Sequence, residues 1–251
     1  MIRNLPGTKE GLSISDLQHS YGKEAVLRNL SWTLEGGKIH GLVGWNGAGK
    51  TTLFRLLAGS QTVQSGQISW TSEALSPNQT ALLETHPFFY PKISGAEYLG
   101  LFQSQNPGFD VEGWNDIFGL PLREVVDGYS TGMKKKLAFI AALATGRPLL
   151  LLDEPFSGVD LTSNEVLKQV IRKLSERGTT LVVSSHLLEG LEGLCDSISF
   201  LYEGRIRMQV EKEDYHLLRK ELESCADKTS DGQLDRLIDR LDGLDGFGKG
   251  A

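Results

Sequence analysis

The chain has 251 residues, of which 39% are hydrophobic, and it carries a formal net charge of −6 at pH 7. This length suits one sizeable α/β domain with a small attached part, and the hydrophobic content argues against disorder over most of the chain. The acidic balance argues against nucleic acid as the main partner, because a nucleic-acid-binding surface is usually basic.

The sequence also gives no sign of membrane spans, secretion or disulfide bonds. No stretch approaches the roughly 20 apolar residues of a membrane-spanning helix, and the N-terminal sequence MIRNLPGTKE has no apolar run of the signal-peptide type. Cys195 and Cys225 lie far apart and have no metal-ligand spacing. We therefore expect a soluble protein in a reducing, cytoplasmic setting.

The first third of the chain is rich in predicted strands. Apolar patterns and glycine breaks predict four strands and, between the third and the fourth, one helix closed by Gly59. In chain order these five segments are residues 14–21, 26–34, 38–43, 51–58 and 67–71. The third strand runs directly into a glycine-rich loop.

Residues 87–146 have a different pattern, with helical spacing broken by Pro and Gly and no convincing strand. Continuous apolar runs then return, which is typical of strands buried on both faces. The segments predicted there are a strand at 149–152, an amphipathic helix at 163–176, a strand at 180–184 and a hairpin at 198–208. This alternation predicts an α/β fold with a mostly parallel sheet and helices on both faces, into which the helical block is inserted.

The glycine-rich loop GWNGAGKT, residues 44–51, matches the G-x-x-x-x-G-K-[ST] pattern of a phosphate-binding loop. Its glycines allow successive backbone N–H groups to turn toward phosphate oxygens at the start of a helix. The lysine places a positive charge near the β- and γ-phosphates, and the threonine hydroxyl is available to Mg²⁺. We predict that the phosphates of a nucleotide are bound here by Gly44, Asn46, Gly47, Ala48, Gly49, Lys50, Thr51 and Thr52.

A second polar site is predicted at LLLLDEP, residues 149–155, where two carboxylates end a buried strand. In a chain with a phosphate loop, Asp153 is expected to hold Mg²⁺ through a water molecule, while Thr51 offers its hydroxyl. Glu154 lies one residue further, on the other side of the backbone, where it can polarise a water molecule aimed at the γ-phosphate. We interpret Glu154 as the catalytic base.

The segment YSTGMKKKL, residues 129–137, begins a predicted helix in an unusual way. Ser130 can cap the helix and Gly132 leaves its backbone open to approach. Three lysines then occupy the first turns, where the helix dipole favours acidic residues. The segment is therefore suited to a negative group, from this chain or from another.

Over residues 12–210, these motifs resemble the nucleotide-binding subunits of ABC transporters. YSTGM stands where that family has its signature loop. The further matches are Tyr21 at the position of an adenine-stacking aromatic, SGVD at 157–160 with Asp160 in the D-loop, and His186 after VVSS as the switch histidine.

The resemblance implies the RecA-like phosphate-loop NTPase fold, with a parallel sheet core, an N-terminal antiparallel β subdomain and an inserted helical subdomain at about 87–147. The ATPase domain would comprise residues 1–210, and residues 211–251 would form a charged tail with a helix. The apolar stripe of that helix is Leu234, Leu237, Ile238 and Leu241.

The resemblance also implies how the protein works. ATP and Mg²⁺ would be the cofactors, and Glu154 and His186 the catalytic residues. Two copies, expected to form a homodimer, would pair head to tail, so that Ser130 and Gly132 contact ATP held by the other copy. A separate integral membrane permease subunit would dock on the helical block and hold the protein at the inner face of the cell membrane. Export is favoured over import, and the lysines after the signature are interpreted as a solvated basic edge.

Two departures from the family pattern affect the prediction. The signature has Tyr129, Thr131 and Met133 where the common form has Leu, Gly and Gln. The Q-loop segment LLETHPFFYP, residues 82–91, contains no glutamine, so its metal ligand would be Glu84 or Thr85. We favour Glu84, because a carboxylate is a good ligand for a hard cation.

Two other functions stay open at this point: a soluble ATPase for cytosolic assembly, such as iron–sulfur cluster building, and a nucleotide-binding regulatory module. The second is disfavoured because a pure sensor needs neither Glu154 nor His186. We interpret His40 as a core histidine, His19 as a surface residue, and Trp45 as a lid or packing residue of the phosphate loop.

Overall fold

The computed structural model describes residues 11–226. Within this range the chain divides into two units, residues 11–212 and residues 213–226, which we describe separately. The predicted stripe at 234–241 lies outside the described residues. No helix within 11–226 is long and apolar enough to cross a membrane.

The N-terminal part of the first unit is a four-stranded antiparallel sheet. Its spatial order is β2-β1-β4-β5. The strands are β1 (Leu12–Tyr21), β2 (Glu24–Leu34), β4 (Ser65–Trp70) and β5 (Glu73–Ala74). Both antiparallel pairings of β1 confirm the predicted antiparallel β part of the fold.

The position of His19 corrects the sequence interpretation. A register shift between Ile14 and Leu17, where Asp16 has φ 49°, changes which residues of β1 face the core. Leu17 and His19 therefore follow Ile14 into the interior. His19 is 5% exposed and is not a surface residue.

The second sheet has six strands in the order β10-β9-β3-β8-β7-β6. All neighbours are parallel except β9 and β10, which form the predicted hairpin. The strands are β3 (Ile39–Val43), β6 (Thr80–Leu83), β7 (Leu149–Asp153), β8 (Thr180–Ser185), β9 (Ser197–Tyr202) and β10 (Arg205–Glu211). This sheet confirms the predicted parallel core, although the sequence pattern does not predict β6.

Helices surround the parallel sheet. The helix α1 packs against β6 and β7, α5 packs against β3 and β8, and the short α6 packs against β8. In the inserted block, α2 and α3 pack on α4, which itself contacts β6. The helices are α1 (Lys50–Leu57), α2 (Gly95–Gln103), α3 (Val111–Phe118), α4 (Thr131–Ala144), α5 (Leu161–Glu176) and α6 (Glu189–Glu192).

Side-chain caps fix the starts of four helices, α2, α3, α4 and α5. Ser130 accepts a hydrogen bond of 3.2 Å from the backbone N–H of Met133, which confirms it as the N-cap of α4. Asp160 caps α5 by accepting from the N–H of Ser163 at 2.9 Å. This cap starts α5 two residues before its predicted first residue.

Parallel pairing brings the carboxyl ends of three strands to one edge of the sheet. In the β3–β8 pair, Val43 lies opposite Ser185, and in the β7–β8 pair Asp153 lies opposite Ser184. In open α/β sheets, ligands bind outside this edge. The phosphate loop that follows Val43 therefore starts at the same edge of the sheet as Asp153 and Glu154 at the end of β7.

In the second unit, residues 215–226 are helical. The domain limits 1–210 and 211–251 stay predictions.

Candidate active site

The phosphate loop joins β3 to α1 in a conformation that only glycine tolerates at several points. Gly47 has φ 84° and Gly49 has φ 106°. A Cβ at Gly44 would lie 2.6 Å from the carbonyl oxygen of Leu201, whereas a Cβ at Gly47 would meet open space. The loop is therefore packed against the sheet on one side and open on the other, where a ligand can approach the backbone.

Helix α1 begins at this open side of the loop. Its N-cap is Gly49, its first turn contains no acidic residue, and no side chain of the described residues caps it. The N–H groups and the positive end of the dipole thus face outward, which is an arrangement suited to phosphate.

Lys50 is buried against the loop. Its Nζ donates to the carbonyl oxygens of Gly44 at 2.5 Å and Trp45 at 3.3 Å, and it lies 4.0 Å from Oε1 of Glu154. Burial lowers the pKa of Lys50, and the nearby carboxylates of Glu154 and Asp153 oppose that shift. The ammonium group is therefore desolvated and held at the base of the loop.

A cleft of about 520 Å³ opens over the loop. It collects most of the predicted site residues, and it also contains several that the sequence does not single out. The predicted residues that line it are Tyr21, Asn46, Gly47, Gly49, Lys50, Thr51, Thr52, Glu84, Asp153 and Glu154. Thr85 and Trp45, both named in the sequence analysis, also line it, and the residues that the sequence does not single out are Glu24, Val26, Arg55 and His86.

Tyr21 lies at the rim of this cleft, with 48% of its surface exposed. Its hydroxyl exchanges hydrogen bonds with the side chain of Gln61 at 2.7 and 3.0 Å. Hydrogen bonds from Thr52 and Gln61 lower its pKa. The ring is thus fixed at its polar end while about half of the residue stays exposed at the rim, which is suitable for stacking on a base.

Three hydroxyl groups converge on the carboxylate of Asp153, which is 1% exposed. Thr51 donates to Oδ2 at 2.7 Å, Thr85 donates to the same oxygen at 2.8 Å, and Ser184 donates to Oδ1. The phosphate loop, the segment after β6 and the end of β8 are therefore joined at one carboxylate.

The contacts of the Q-loop segment do not favour Glu84, the metal ligand preferred from the sequence. Glu84 forms an ion pair of 3.0 Å with Nε of Arg55, at the side of the cleft. Thr85, the alternative left open by the sequence, is the residue in contact with Asp153. The sequence alone cannot fix the position, because the family pattern gives no anchor between β6 and Pro91. These contacts favour Thr85 over Glu84 as the candidate metal ligand.

Glu154 follows β7 in a left-handed conformation, with φ 51°. Its backbone N–H donates to the carbonyl and hydroxyl oxygens of Ser184 at 3.3 and 3.2 Å. Its Oε1 lies 3.0 Å from Nδ1 of His186. A non-glycine residue in this region is strained, and such strain is concentrated at functional sites.

The signature residues lie outside this cleft. Ser130 is exposed, and Gly132 packs so closely on the loop before α5 that a Cβ would lie 3.0 Å from the carbonyl oxygen of Gly158. Asp160, at the end of that loop, has its pKa lowered by the backbone hydrogen bond from Ser163. The signature and D-loop segments therefore form one surface, separate from the cleft residues.

The lysines of the signature segment, residues 129–137, differ in their burial. Lys136 is partly exposed and donates to the hydroxyl of Ser163 at 3.3 Å. Lys135 is only 2% exposed, and its Nζ donates to the backbone carbonyl of Glu154. The interpretation of the lysines as a solvated edge is wrong for Lys135, which occupies an inward position of α4.

The interpretations of His40 and Trp45 are confirmed. His40 is buried, with Nδ1 2.8 Å from the hydroxyl of Ser197 and Nε2 2.8 Å from the carbonyl of Glu35. Trp45 packs edge-on against the rings of Phe200 and Tyr202, at centroid distances of 5.5 and 5.4 Å. The partners in these contacts are not assignable from the sequence.

The donors beside Asp153 fit Mg²⁺. Within 11–226, no group of three or more His, Cys, Asp or Glu side chains could hold a metal ion. Mg²⁺ needs no such cage, because it commonly keeps several waters and takes one or two carboxylates together with substrate phosphates. One carboxylate with two hydroxyls, facing a phosphate loop, is the donor set that such a site requires.

The family model described as "ABC transporter" matches residues 27–157. The lantibiotic transport ATP-binding protein SrtF of Streptococcus pyogenes is 32% identical over 213 residues, covering 80% of this chain and 90% of that protein. The chain belongs to the ABC transporter family. It is one of the family's ATP-binding subunits, and hence an ATPase.

Other ABC proteins agree with this assignment. The bacitracin transport ATP-binding protein BcrA of Enterococcus faecalis is 31% identical over 218 residues, covering 82% of this chain and 70% of that protein. A solved ATP-binding subunit of an ABC transporter has a TM-score of 0.74 and 27% identity, over 81% of this chain and 90% of its own. The fold is also that of the ATP-binding cassette MJ0796, solved as a dimer with ADP and Pi, at a TM-score of 0.70 and 19% identity. That match covers 80% of this chain and 98% of the cassette.

Proposed function

We propose that this ABC ATPase hydrolyses ATP at two composite sites between two copies of the chain and thereby drives export through a separate membrane subunit. The observation that carries the proposal is that three motifs meet at the carboxylate of Glu154. Lys50 of the phosphate loop lies 4.0 Å from Glu154, and Glu154 in turn lies 3.0 Å from His186.

ATP fits the cleft in one direction. Its phosphates would lie on the phosphate loop, where Lys50 and the N-terminus of α1 supply positive charge. Its adenine would then reach Tyr21 at the rim. Asn46, Ala48 and Thr52 complete the loop around the phosphates.

Mg²⁺ would be held by Thr51, Asp153 and Thr85. When bound, it would neutralise charge on the β- and γ-phosphates. The two threonine hydroxyls fix the orientation of the Asp153 carboxylate, because both donate to the same oxygen.

Glu154 would orient and deprotonate the attacking water. A general base must lie within hydrogen-bond reach of the proton that it removes, so its orientation matters as much as its charge. His186 holds Oε1 of Glu154 at 3.0 Å, and its side chain is itself 44% exposed, so it can follow the γ-phosphate.

A second copy is needed to complete each site. Ser130 and Gly132 are exposed or half-exposed at the start of α4, but they do not line the cleft of their own chain. A helix start that carries free N–H groups is suited to a γ-phosphate from another copy. Gly132 contacts the loop that leads to Asp160, so the D-loop would take part in the same interface.

The membrane subunit would dock at a groove of about 370 Å³ between β6, α2 and α4. The groove begins at Glu84 and is bordered by Phe88, which is 67% exposed, beside Tyr90, which is 58% exposed. These rings contact each other at 5.3 Å. Exposed aromatic groups of this kind commonly mark protein interfaces. The groove adjoins the segment that contacts Asp153, so docking and the ATP site share one element.

The names of the relatives support a transported peptide. SrtF is named for lantibiotic transport and BcrA for bacitracin transport. We infer that the membrane partner exports a peptide-type substrate and that this chain is peripheral to the cytoplasmic side of the membrane.

Co-expression with a candidate permease subunit from the same genome tests the proposal. The two should copurify, and ATP-dependent peptide transport into inside-out vesicles should require both. Transport that continues with Glu154→Gln in place of the wild-type chain would contradict it.

A further inference from the structure

We propose that Lys135 is a positioning residue for ATP hydrolysis, which holds the backbone of Glu154 in place from the signature helix. The inference rests on the proposed role of Glu154. It assigns a function to a buried lysine that the phosphate loop, the metal site and the base do not use.

The environment of Lys135 argues against a passive role on energetic grounds. Lys135 is 2% exposed, and burial lowers the pKa of its ammonium while the carboxylates of Glu154 and Asp153 raise it. Removing a lysine from water is costly, and a lysine is almost never fully buried unless it is paired. Its neighbours on α4, Lys134 and Lys136, are both partly exposed.

Lys135 donates its hydrogen bond to a backbone atom. Its Nζ lies 2.5 Å from the carbonyl oxygen of Glu154, and the N–H of Ser157 donates to the same oxygen at 3.2 Å. On the other side of the residue, the N–H of Glu154 is bonded to Ser184. Both peptide groups that flank the Glu154 side chain are therefore held.

These bonds matter because Glu154 has φ 51°. A non-glycine residue persists in such a conformation only where its surroundings over-determine it. Without the ammonium, the peptide after Glu154 keeps one neutral donor and is freer to turn. The carboxylate would then leave the direction that faces Lys50 and His186.

Lys135 also connects two separate parts of the proposed mechanism. It lies on α4, and the start of that helix at Ser130 would contact the ATP held by the partner copy. The same helix therefore holds Glu154, the base of its own chain, through Lys135. A displacement of that helix would be transmitted to Glu154 through this one bond.

The test uses the full-length chain with its membrane subunit and compares Lys135→Met with Lys134→Met. Methionine has nearly the length of lysine without its charge, so it fits an apolar environment. Lys135→Met should lower kcat by about 10- to 100-fold, the cost of a misplaced catalytic group. The KM for ATP, the affinity for ATP and the melting temperature should stay close to those of the wild type, and Lys134→Met should change none of them.

A double-mutant cycle separates positioning from an independent structural effect. If Lys135 acts through Glu154, Lys135→Met combined with Glu154→Gln should be no slower than Glu154→Gln alone in single-turnover hydrolysis. Additive losses, or a kcat of Lys135→Met within twofold of the wild type, would overturn the proposal.

Lys135→Gln is the second variant, and the same loss of kcat is expected because its shorter, neutral amide cannot replace the ammonium. Failure of both variants to fold would make Lys135 a structural residue and would also overturn the proposal. The proposed function has its own test, since it would be contradicted if Glu154→Gln alone still hydrolysed ATP.

Discussion

Thr85 donates a hydrogen bond of 2.8 Å to Oδ2 of Asp153, the oxygen that also accepts from Thr51 at 2.7 Å. The segment after β6 and the start of α1 are thus bonded to the same carboxylate. A change at the docking groove, which begins next to Thr85 at Glu84, can reach the metal site through a single side chain.

Replacing Thr85 should therefore weaken Mg²⁺ binding more than replacing Glu84 does. Thr85→Val removes the hydroxyl and keeps the shape, and we expect the Mg²⁺ concentration for half-maximal ATPase activity to rise about 10- to 100-fold, as for lost partners of metal ligands. Glu84→Gln removes a partly exposed ion pair, which is worth about 0–1 kcal/mol. Mg²⁺ titrations of both variants check this, and a larger effect for Glu84→Gln would assign the metal contact to Glu84 instead.

Lys50→Ala should abolish measurable ATP binding while the fold survives. The ammonium contacts carbonyl groups of the loop, and its removal should cost at least about 2 kcal/mol of ligand binding. Titration with a fluorescent ATP analogue gives the affinity, and Lys38→Ala, at an exposed lysine, is the control. An unchanged affinity for ATP in Lys50→Ala would show that the phosphate loop does not form the ATP site.

Glu154→Gln should leave ATP bound and stop turnover. Loss of the general base is expected to reduce kcat by about 10²- to 10⁴-fold. Because ATP then persists between two copies, the chain should run as a dimer in size-exclusion chromatography with Mg-ATP. A monomer with intact hydrolysis would show that Glu154 is not the base.

The burial of His40 leads us to predict that the stability of the fold depends on pH. Burial lowers its pKa in the folded protein, whereas the unfolded chain should titrate at about 6.5. As the pH falls below that value, the unfolded state binds a proton that the folded state does not, so the free energy of unfolding decreases. Relative to His40→Gln, the wild type should lose stability between pH 7 and pH 5 in urea titrations. A difference that stays constant over this range would show that His40 does not titrate on unfolding.

The features that can be predicted from the sequence are those set by contiguous residues. GWNGAGKT and LLLLDEP determine both the spacing of their side chains and the strand that precedes each, so they predict the parallel core and the cleft. The cap at Ser130 is equally local. Strand β6, by contrast, has only four residues, which is too short for a periodic pattern to stand out.

Features set by tertiary contacts cannot be predicted in this way. The choice between Glu84 and Thr85 depends on which one reaches Asp153, 68 residues away from Thr85. The burial of His19 depends on a register shift in β1 that has no clear sequence signal. For Lys135 a signal exists, because Ala138 and Ala142 recur at helical spacing on its face of α4 and are buried.

The proposed head-to-tail dimer builds each ATP site from two copies of the chain. It predicts that Ser130→Arg abolishes hydrolysis but leaves ATP binding to its own phosphate loop intact, because Ser130 lies outside that cleft. Neither Ser130→Arg nor Lys50→Ala should be active alone.

ATPase assays of Ser130→Arg subunits mixed with Lys50→Ala subunits, in the presence of the membrane partner, distinguish a shared ATP site from one built within a single chain. A mixed dimer has one composite site with both changes and one with neither, so ATPase activity should return. Ser130→Arg mixed with the double variant Lys50→Ala/Ser130→Arg leaves no intact site and should stay inactive. If the first mixture also stays inactive, and Ser130→Arg alone has lost ATP binding, the signature serves its own cleft and the head-to-tail dimer is wrong.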